Sequence, residues 1–440
     1  MGRSSFSMLF YRSKYTTSRP VCKNKFAAFT PAGGCGILHS LNFAYIPETE
    51  SFMLNRLKAI LADFFQQADL VLLGLCCTAS IYGLVLIFSA TNFMSEDRYR
   101  YIIVQGAAML IGIVAYIAMS MVDLEILMKR WKWILAFNIL MFLLLIPFGV
   151  SVSGNRAWLK FPGMPVNIGP AEIVKISFTL LLAKQLSWLR EEKQDLKSFR
   201  AAAFVGGHTL FLMGLYVVIS GDMGNSLSFF FIFLAMAFVA GFALRWFALV
   251  IFGGVGTVAA AFWLDLVPSY VRDRFAVLFD HSYDTMKAGW QQTRSLLTLG
   301  GGGLFGQGYL NGTQSQAGEG SIPARWTDFI FAVCGEELGL VGCALVMALL
   351  TAIIIRILLV ARNAQSPFHC YICVGMAAML IFQSITNIGM CLFVMPVIGL
   401  TLPFFSYGGS SLVTVFAAMG VVSGIKKRTP TMRRPGKPIQ

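Results

Sequence analysis

Charge is what this chain has least of. Asp, Glu, Lys and Arg make up 13% of its 440 residues, while 57% are hydrophobic. Mean hydropathy is +0.70. A soluble chain of this length has no use for so much apolar surface, so the composition points to a polytopic membrane protein. Acidic residues are the scarcer kind, 21 against 35 basic ones, which leaves a formal net charge of +14. Most of the excess is in two tails. Residues 1–58 hold eight basic and two acidic residues, and residues 426–440 hold six basic and none acidic. Such tails suit an anionic inner leaflet. No basic-aromatic module accompanies them, which speaks against nucleic acid as a partner.

Other absences narrow the reading. None of the nine cysteines falls in a predicted outer loop, so no disulfide framework is implied. No clean apolar core of a signal peptide occurs near the N-terminus. Residues 1–52 have neither a span nor an amphipathic period, and Met53 opens a short amphipathic segment; translation is expected to start there. The glycine run at 300–303 is followed by no G-K-[ST], which argues against a nucleotide loop. His369-Cys370-x-x-Cys373 looks like a metal fragment but reads as a helix entering the membrane.

What is present is a series of apolar runs of roughly 20 residues, the length that crosses a hydrocarbon core. They lie near 70–90, 101–121, 131–149, 170–188, 201–219, 224–242, 246–265, 328–360, 370–393 and 404–425. The expected fold is an all-α polytopic membrane protein of about ten transmembrane helices, with one large extracytoplasmic loop between spans seven and eight. The chain divides into a basic cytoplasmic tail (1–60), a membrane domain (61–425) that includes the loop 266–327, and a second basic tail (426–440). The eighth run is too long for one straight crossing and is expected to tilt or overrun the bilayer. Lys129, Arg130, Arg190, Lys193, Lys197, Arg200, Arg245 and Arg362 fall on one side, against Arg98, Arg100, Arg156 and Lys160 in the short loops of the other. That bias puts both termini in the cytoplasm.

The stretch Ile322–Gly342 places a carboxylate, Asp328, where the long polar loop meets an apolar run. An ionisable group at that boundary is a site hypothesis by default. Capping the following helix is the competing role, since Pro323 and Thr327 form a normal N-terminal pattern. Three more polar clusters share its face: Ser153–Lys160 with Arg156 and Trp158, Gly221-Asp222-Met-Gly224, and Met395–Ser411 with two prolines and a Gly-Gly-Ser-Ser run. Arg156, Trp158 and Lys160 can equally be interfacial residues, and Asp222 a helix cap. The last cluster is expected to break the helix around a cavity. Glu172 and Lys175, three apart, can pair. Glu336 and Glu337 lie about 12 Å beyond Asp328 along a helix axis and need partners there, with Lys175 one candidate. In the long loop, Trp290–Leu299 can form a surface helix, and the glycines after it let the backbone approach something closely. Asn311–Gln316 offers polar groups suited to sugar hydroxyls.

Taken together, G-N-R-A-W, G-P-A-E-I-V-K, G-D-M-G-N-S, the glycine loop, T-D-F-I-F-A-V-x-G-E-E-L-G and N-I-G-M…L-P-F-F-S-Y-G-G-S-S resemble the SEDS family, the RodA/FtsW/SpoVE group of peptidoglycan glycosyltransferases, over about residues 60–428. The G-T-Q-S-Q string leans toward the RodA-like, elongation branch. The resemblance implies polymerisation of lipid II, the undecaprenyl-pyrophosphate-linked disaccharide peptide, at the outer face of the cytoplasmic membrane. It implies Asp328 as the essential acid, Arg156, Trp158 and Asp222 as site residues, and a class B penicillin-binding protein as partner beside other elongation or division proteins. The chain departs from the family at Pro323-Ala-Arg-Trp326, where P-E-x-H is usual, and at Gly169-Pro-Ala-Glu172, where Q-P-S-E is usual.

On this reading Asp328 is a base for an inverting transfer. Arg156, Lys160, Arg294 and Arg325 are candidates to stabilise the leaving diphosphate, and Gln314 to bind substrate. A divalent cation, Mg or Mn, could bridge the diphosphate; no metal ligands are assigned. A lipid II flippase and a non-catalytic scaffold for the partner synthase are the rival readings.

Overall fold

The computed structural model describes residues 68–94, 98–152, 155–161, 167–193, 196–265, 267, 269–280, 289–318 and 321–428. The expectations for residues 1–52 and for the tail beyond 428 lie outside the described residues.

The regular secondary structure of the described residues is helical apart from one hairpin. Its elements are α1 (Leu70–Ala90), α2 (Arg98–Met121), α3 (Leu124–Lys129), α4 (Trp131–Leu143), α5 (Leu145–Phe148), β1 (Gly149–Val152), β2 (Asn155–Leu159), α6 (Pro170–Trp188), α7 (Phe199–Ser220), α8 (Met223–Ala240), α9 (Leu244–Trp263), α10 (Ser269–Phe279), α11 (Trp290–Gly302), α12 (Ile330–Arg362), α13 (Pro367–Cys391) and α14 (Gly409–Arg428). Among the described residues, nine helices are long and apolar enough to cross a membrane, with α4 and α5 together forming one of them.

The tenth expected span is α6, and its exception has a physical reason. It carries Glu172, Lys175 and Lys184, yet most of its residues are buried within the protein. A helix surrounded by other helices need not be apolar to lipid. Lys175 Nζ donates to Glu172 Oε1 at 2.7 Å, and the Gln383 amide donates to the other carboxylate oxygen at 3.4 Å. The expected pair thus forms inside the bundle. At the other extreme, α9 buries no residue of its apolar window.

The two ends of the bundle differ. At one end Asp69 caps α1 by accepting from the Leu72 N–H. It also takes two bonds from Arg356, at 2.8 and 3.0 Å, and an ion pair from Lys426 at 3.1 Å. Burial works against this carboxylate, but the two cations hold its pKa below the usual value. The start of α1 and the ends of α12 and α14 are thereby tied together. The opposite end carries Asp328 and the polar segments around it.

The eighth expected span does not simply tilt. Inside α12, Gly339 adopts φ 67°, ψ −163°, and the helix is broken there. In an unbroken helix Leu340 and Val341 would donate to Glu336 and Glu337. Here those groups turn to the glycine-rich turn after α11. Gln307 and Gly308 N–H donate to the Glu336 and Glu337 carbonyls at 2.8 and 3.0 Å, and Leu340 and Val341 N–H donate to Gly303 and Leu304 at 3.0 and 3.2 Å. Gly306 (φ 82°) packs so closely that a Cβ would collide with the Glu337 carbonyl. The close approach foreseen for these glycines is therefore to the chain's own broken helix.

Candidate active site

Asp328 lies in a tight turn ahead of α12. Ala324, at φ 51°, is in the left-handed region that non-glycine residues seldom occupy. Its carbonyl accepts from the N–H groups of Thr327, Asp328 and Phe329 at 3.1, 3.0 and 3.3 Å. Strain of this kind persists where the surroundings over-determine it, and it clusters at functional sites. The capping role fails: the N-cap of α12 is Phe329, and no side chain caps the helix.

The segment 392–408 fastens this turn. Asn387 Nδ2 donates to the Asp328 carbonyl at 2.9 Å and to the Leu400 carbonyl at 2.7 Å. Tyr407 N–H donates to Trp326 at 2.8 Å, and the Ser406 hydroxyl donates to Thr327. Pro403 and the Leu402–Ser406 turn delay α14 to Gly409, five residues past the expected start. The helix break expected at this cluster is present. A buried Asn in an apolar run was the available signal for Asn387, but the sequence assigns it no role.

The polar clusters meet around the same segment. A Cβ on Gly399 would lie 3.9 Å from Asp328 Oδ2, and one on Gly224 would lie 3.2 Å from the Ile398 side chain. Asn155 Oδ1 is 3.7 Å from the Cβ position of Gly221. Trp158, Glu172 and Ser410 surround Gly169 at 3.4–3.6 Å from its Cβ position. Burial pushes the half-buried Asp328 carboxyl up to about 6; a hydrogen bond from Thr327 opposes this and the charge of Asp222 adds to it. At neutral pH such a group is ionised but still a useful proton acceptor.

The structure assigns the other expected site residues to different positions. Asp222 is buried and caps α8: its carboxylate accepts from the Asn225 N–H at 3.1 Å, the Asn225 amide at 2.8 Å and the Tyr216 hydroxyl at 2.9 Å. Arg156 is exposed on β2, where its Nε and Nη2 donate to the Gly149 and Ile146 carbonyls at 3.0 and 2.8 Å. Trp158 pairs with Val150 across the hairpin, and Lys160 is exposed just beyond it. Arg294 stands over the Trp290 ring on α11, 5.7 Å from its centroid. The hairpin itself was not foreseen.

Three expectations are corrected. Arg325 is not an open diphosphate ligand. It is 1% exposed, donates to the carbonyls of Ser315, Ala317, Gly318 and Ile322, and stacks 4.0 Å from the Phe93 centroid. Glu336 and Glu337 do not pair with Lys175, which is occupied by Glu172. Their partners come from the loop. Glu336 accepts from the Gln314 and Ser315 N–H groups, both at 2.7 Å, and from Thr313; Glu337 accepts from the Ser315 hydroxyl and the Gln316 amide, both at 2.7 Å, and from Ser89. Charge-assisted bonds of this kind offset the cost of burying a carboxylate. The Asn311–Gln316 string is therefore held against α12 rather than laid out for sugar hydroxyls, and Gln314 is engaged through its backbone. Its side-chain oxygen lies 3.3 Å from the Ser321 hydroxyl.

Among the described residues no group of three or more His, Cys, Asp or Glu side chains could hold a metal ion. With both Asp222 oxygens already bonded, Asp328 is the carboxylate at this convergence left to bind one. That suffices only for a cation whose other ligands are phosphate oxygens and water.

A family model described as a cell cycle protein, FtsW/RodA/SpoVE, matches residues 69–430. The chain belongs to this family. Among its relatives, a probable peptidoglycan glycosyltransferase FtsW of Geobacter metallireducens is 30% identical over 389 residues, covering 86% of this chain and 98% of the relative. The peptidoglycan glycosyltransferase MrdB of Escherichia coli is 32% identical over 350 residues, covering 78% and 90%. Among solved structures, a chain from a study of polymerisation and crosslinking by a peptidoglycan synthase complex aligns with a TM-score of 0.67 at 27% identity, covering 82% of this chain and 97% of that one. The rod shape determining protein RodA of Thermus thermophilus aligns with a TM-score of 0.60 at 26% identity, covering 83% and 98%.

Proposed function

We propose that this chain polymerises lipid II, with Asp328 as the base. The coarser activity is that of its family: it is a multi-pass membrane peptidoglycan glycosyltransferase. The observation that carries the finer reading is the state of Asp328, a half-buried carboxylate freed from capping, titrating near 6, and set where the hairpin, α6, α8 and the 392–408 segment meet.

The acceptor sugar's hydroxyl is a poor nucleophile. Asp328 takes its proton as the oxygen bonds to the anomeric carbon of the donor, and the bond from that carbon to the pyrophosphate breaks. The polyprenyl pyrophosphate leaves with the electron pair. One base and direct attack invert the anomeric centre. Arg156, Lys160 and Arg294 supply positive charge toward the leaving diphosphate, and Asp328 is the residue that would hold a divalent cation arriving with it. Such an ion would add to the charge facing the leaving group.

We place this chemistry at the outer face and both termini in the cytoplasm, because the basic loops gather at the Asp69 end. A class B penicillin-binding protein is the proposed partner. Purified chain given labelled lipid II, with and without that partner, tests the assignment. Glycan polymer from the wild type and none from Asp328→Asn is expected; polymer from both would remove Asp328 from its role.

A further inference from the structure

A cavity of about 340 Å³ opens between α4, α6 and α7, toward the Asp69 end and away from Asp328. That volume is within the range of small-ligand sites, about 300–1,000 Å³. Its apolar wall is Trp131, Leu135, Leu181, Trp188 and Phe204. Trp131 and Phe204 are exposed at 39% and 51%, so the cavity reaches the perimeter of the bundle, where lipid lies. Its polar residues are Lys184, Gln185 and His208. His208 Nδ1 meets the Gln185 side-chain oxygen position at 2.9 Å, while Nε2 is buried with no partner among the described residues.

The mouth is cationic in a specific way. Lys132 Nζ stands over the Trp131 ring, 5.9 Å from its centroid, and Lys193 Nζ over the Trp188 ring at 5.3 Å. Both lysines are exposed. Each tryptophan lines the cavity and carries an ammonium group over its ring, which brings positive charge beside the apolar wall. Aromatic walls at an interface, two rim cations and one unsatisfied buried nitrogen match an amphiphile with an anionic head and an apolar tail.

We propose that this cavity binds one anionic phospholipid of the surrounding bilayer. An acyl chain lies against Trp131, Trp188 and Phe204, and the phosphate sits between Lys132 and Lys193. With the Gln185 amide turned so that its nitrogen faces Nδ1, His208 Nε2 carries the ring proton and donates to an ester carbonyl. The cavity is too small for a partner's helix, though a single partner side chain could enter it.

Native mass spectrometry of the full chain in a neutral detergent, exposed to equal amounts of dioleoyl-phosphatidylglycerol and dioleoyl-phosphatidylcholine, reads the occupancy. The wild type is expected to retain one phosphatidylglycerol in preference to phosphatidylcholine by roughly tenfold. Lys132→Gln combined with Lys193→Gln, at two exposed positions, should abolish the preference. His208→Phe should lower retention of both lipids. Equal retention by the wild type, or an unchanged preference in the double variant, overturns the proposal. Retention of neither lipid also overturns it and leaves the cavity to a protein side chain. Glycan synthesis is not the readout, so the result stands apart from the fate of Asp328.

Discussion

The side-chain amide of Asn387 holds the backbone of Asp328: Nδ2 donates to its carbonyl at 2.9 Å and, on the far side, to that of Leu400 at 2.7 Å. One buried group thus fixes the proposed base relative to the 392–408 segment. Asn387→Leu leaves both carbonyls without their partner, at a cost of about 1–3 kcal/mol. The expected result is a lower melting temperature and a loss of glycan synthesis larger than the loss of folded protein. Activity per folded molecule, measured on detergent-purified variant, checks this; an unchanged value would confine Asn387 to stability.

Asp328→Asn keeps the shape of the side chain and removes its basicity. A fall in rate of about 10²–10⁴ is expected. The folded carboxyl titrates at about 6, above its ordinary 3.8. The folded state therefore binds more protons between those values, and the ionised group costs stability as pH rises through them. Two consequences carry opposite signs. The wild-type rate should climb as pH rises through about 6 and then level off. The Asn variant should be inactive yet melt higher than the wild type above that pH. A variant that melts lower would show that the carboxylate stabilises the fold.

Arg325 and Arg156 separate two roles that the sequence assigns together. Arg325→Lys cannot reproduce a planar fork bonded to several carbonyls. It should reduce the amount of folded protein, with activity per surviving molecule retained. Arg156→Lys loses the two-carbonyl clamp at the hairpin root but leaves the buried loop intact. It should instead raise KM for lipid II or lower kcat at normal membrane level. Thermal stability and steady-state kinetics on the same preparations distinguish the two.

Much of the fold is legible from apolar length alone, because a span must satisfy its own backbone bonds in lipid and so must be helical. The run that opens α6 shows the limit: Glu172 and Lys175 mark a helix shielded by its neighbours, and only packing reveals by which. Asp328 is legible as a carboxylate at the boundary, and its release from capping is not. Arg325 misleads for a related reason. A guanidinium suits phosphate and clustered carbonyls equally, and the choice depends on where Ser315, Ala317, Gly318 and Ile322 fold. The partners of Glu336 and Glu337 come from 20 or more residues upstream, partly through backbone N–H groups and partly through Ser89, Thr313, Ser315 and Gln316, small polar side chains that read as ordinary loop residues. The glycines at 302, 303, 306 and 308 are a second trace of the contact, because they let the backbone approach α12.

Gly306→Ala tests the contact directly. The added Cβ meets backbone rather than a movable side-chain tip, so the loop must back away from α12. A loss of about 2–4 kcal/mol is expected, in the range of severe single substitutions, with faster proteolysis of the segment 303–318. Protease sensitivity equal to that of the wild type would show that the turn accommodates the methyl group.

The opening in α12 also sets an order of assembly. Residues 303–308 are synthesised before the helix that needs them, and the Glu336 and Glu337 carbonyls and the Leu340 and Val341 N–H groups have their partners only once that turn is seated. Residues 303–308 thus act as a splice between the two halves of α12, supplying the backbone partners that the break at Gly339 leaves open. The longest helix of the described chain is completed by a segment that precedes it in the sequence, so its continuity depends on a loop contact and not on its own apolar length.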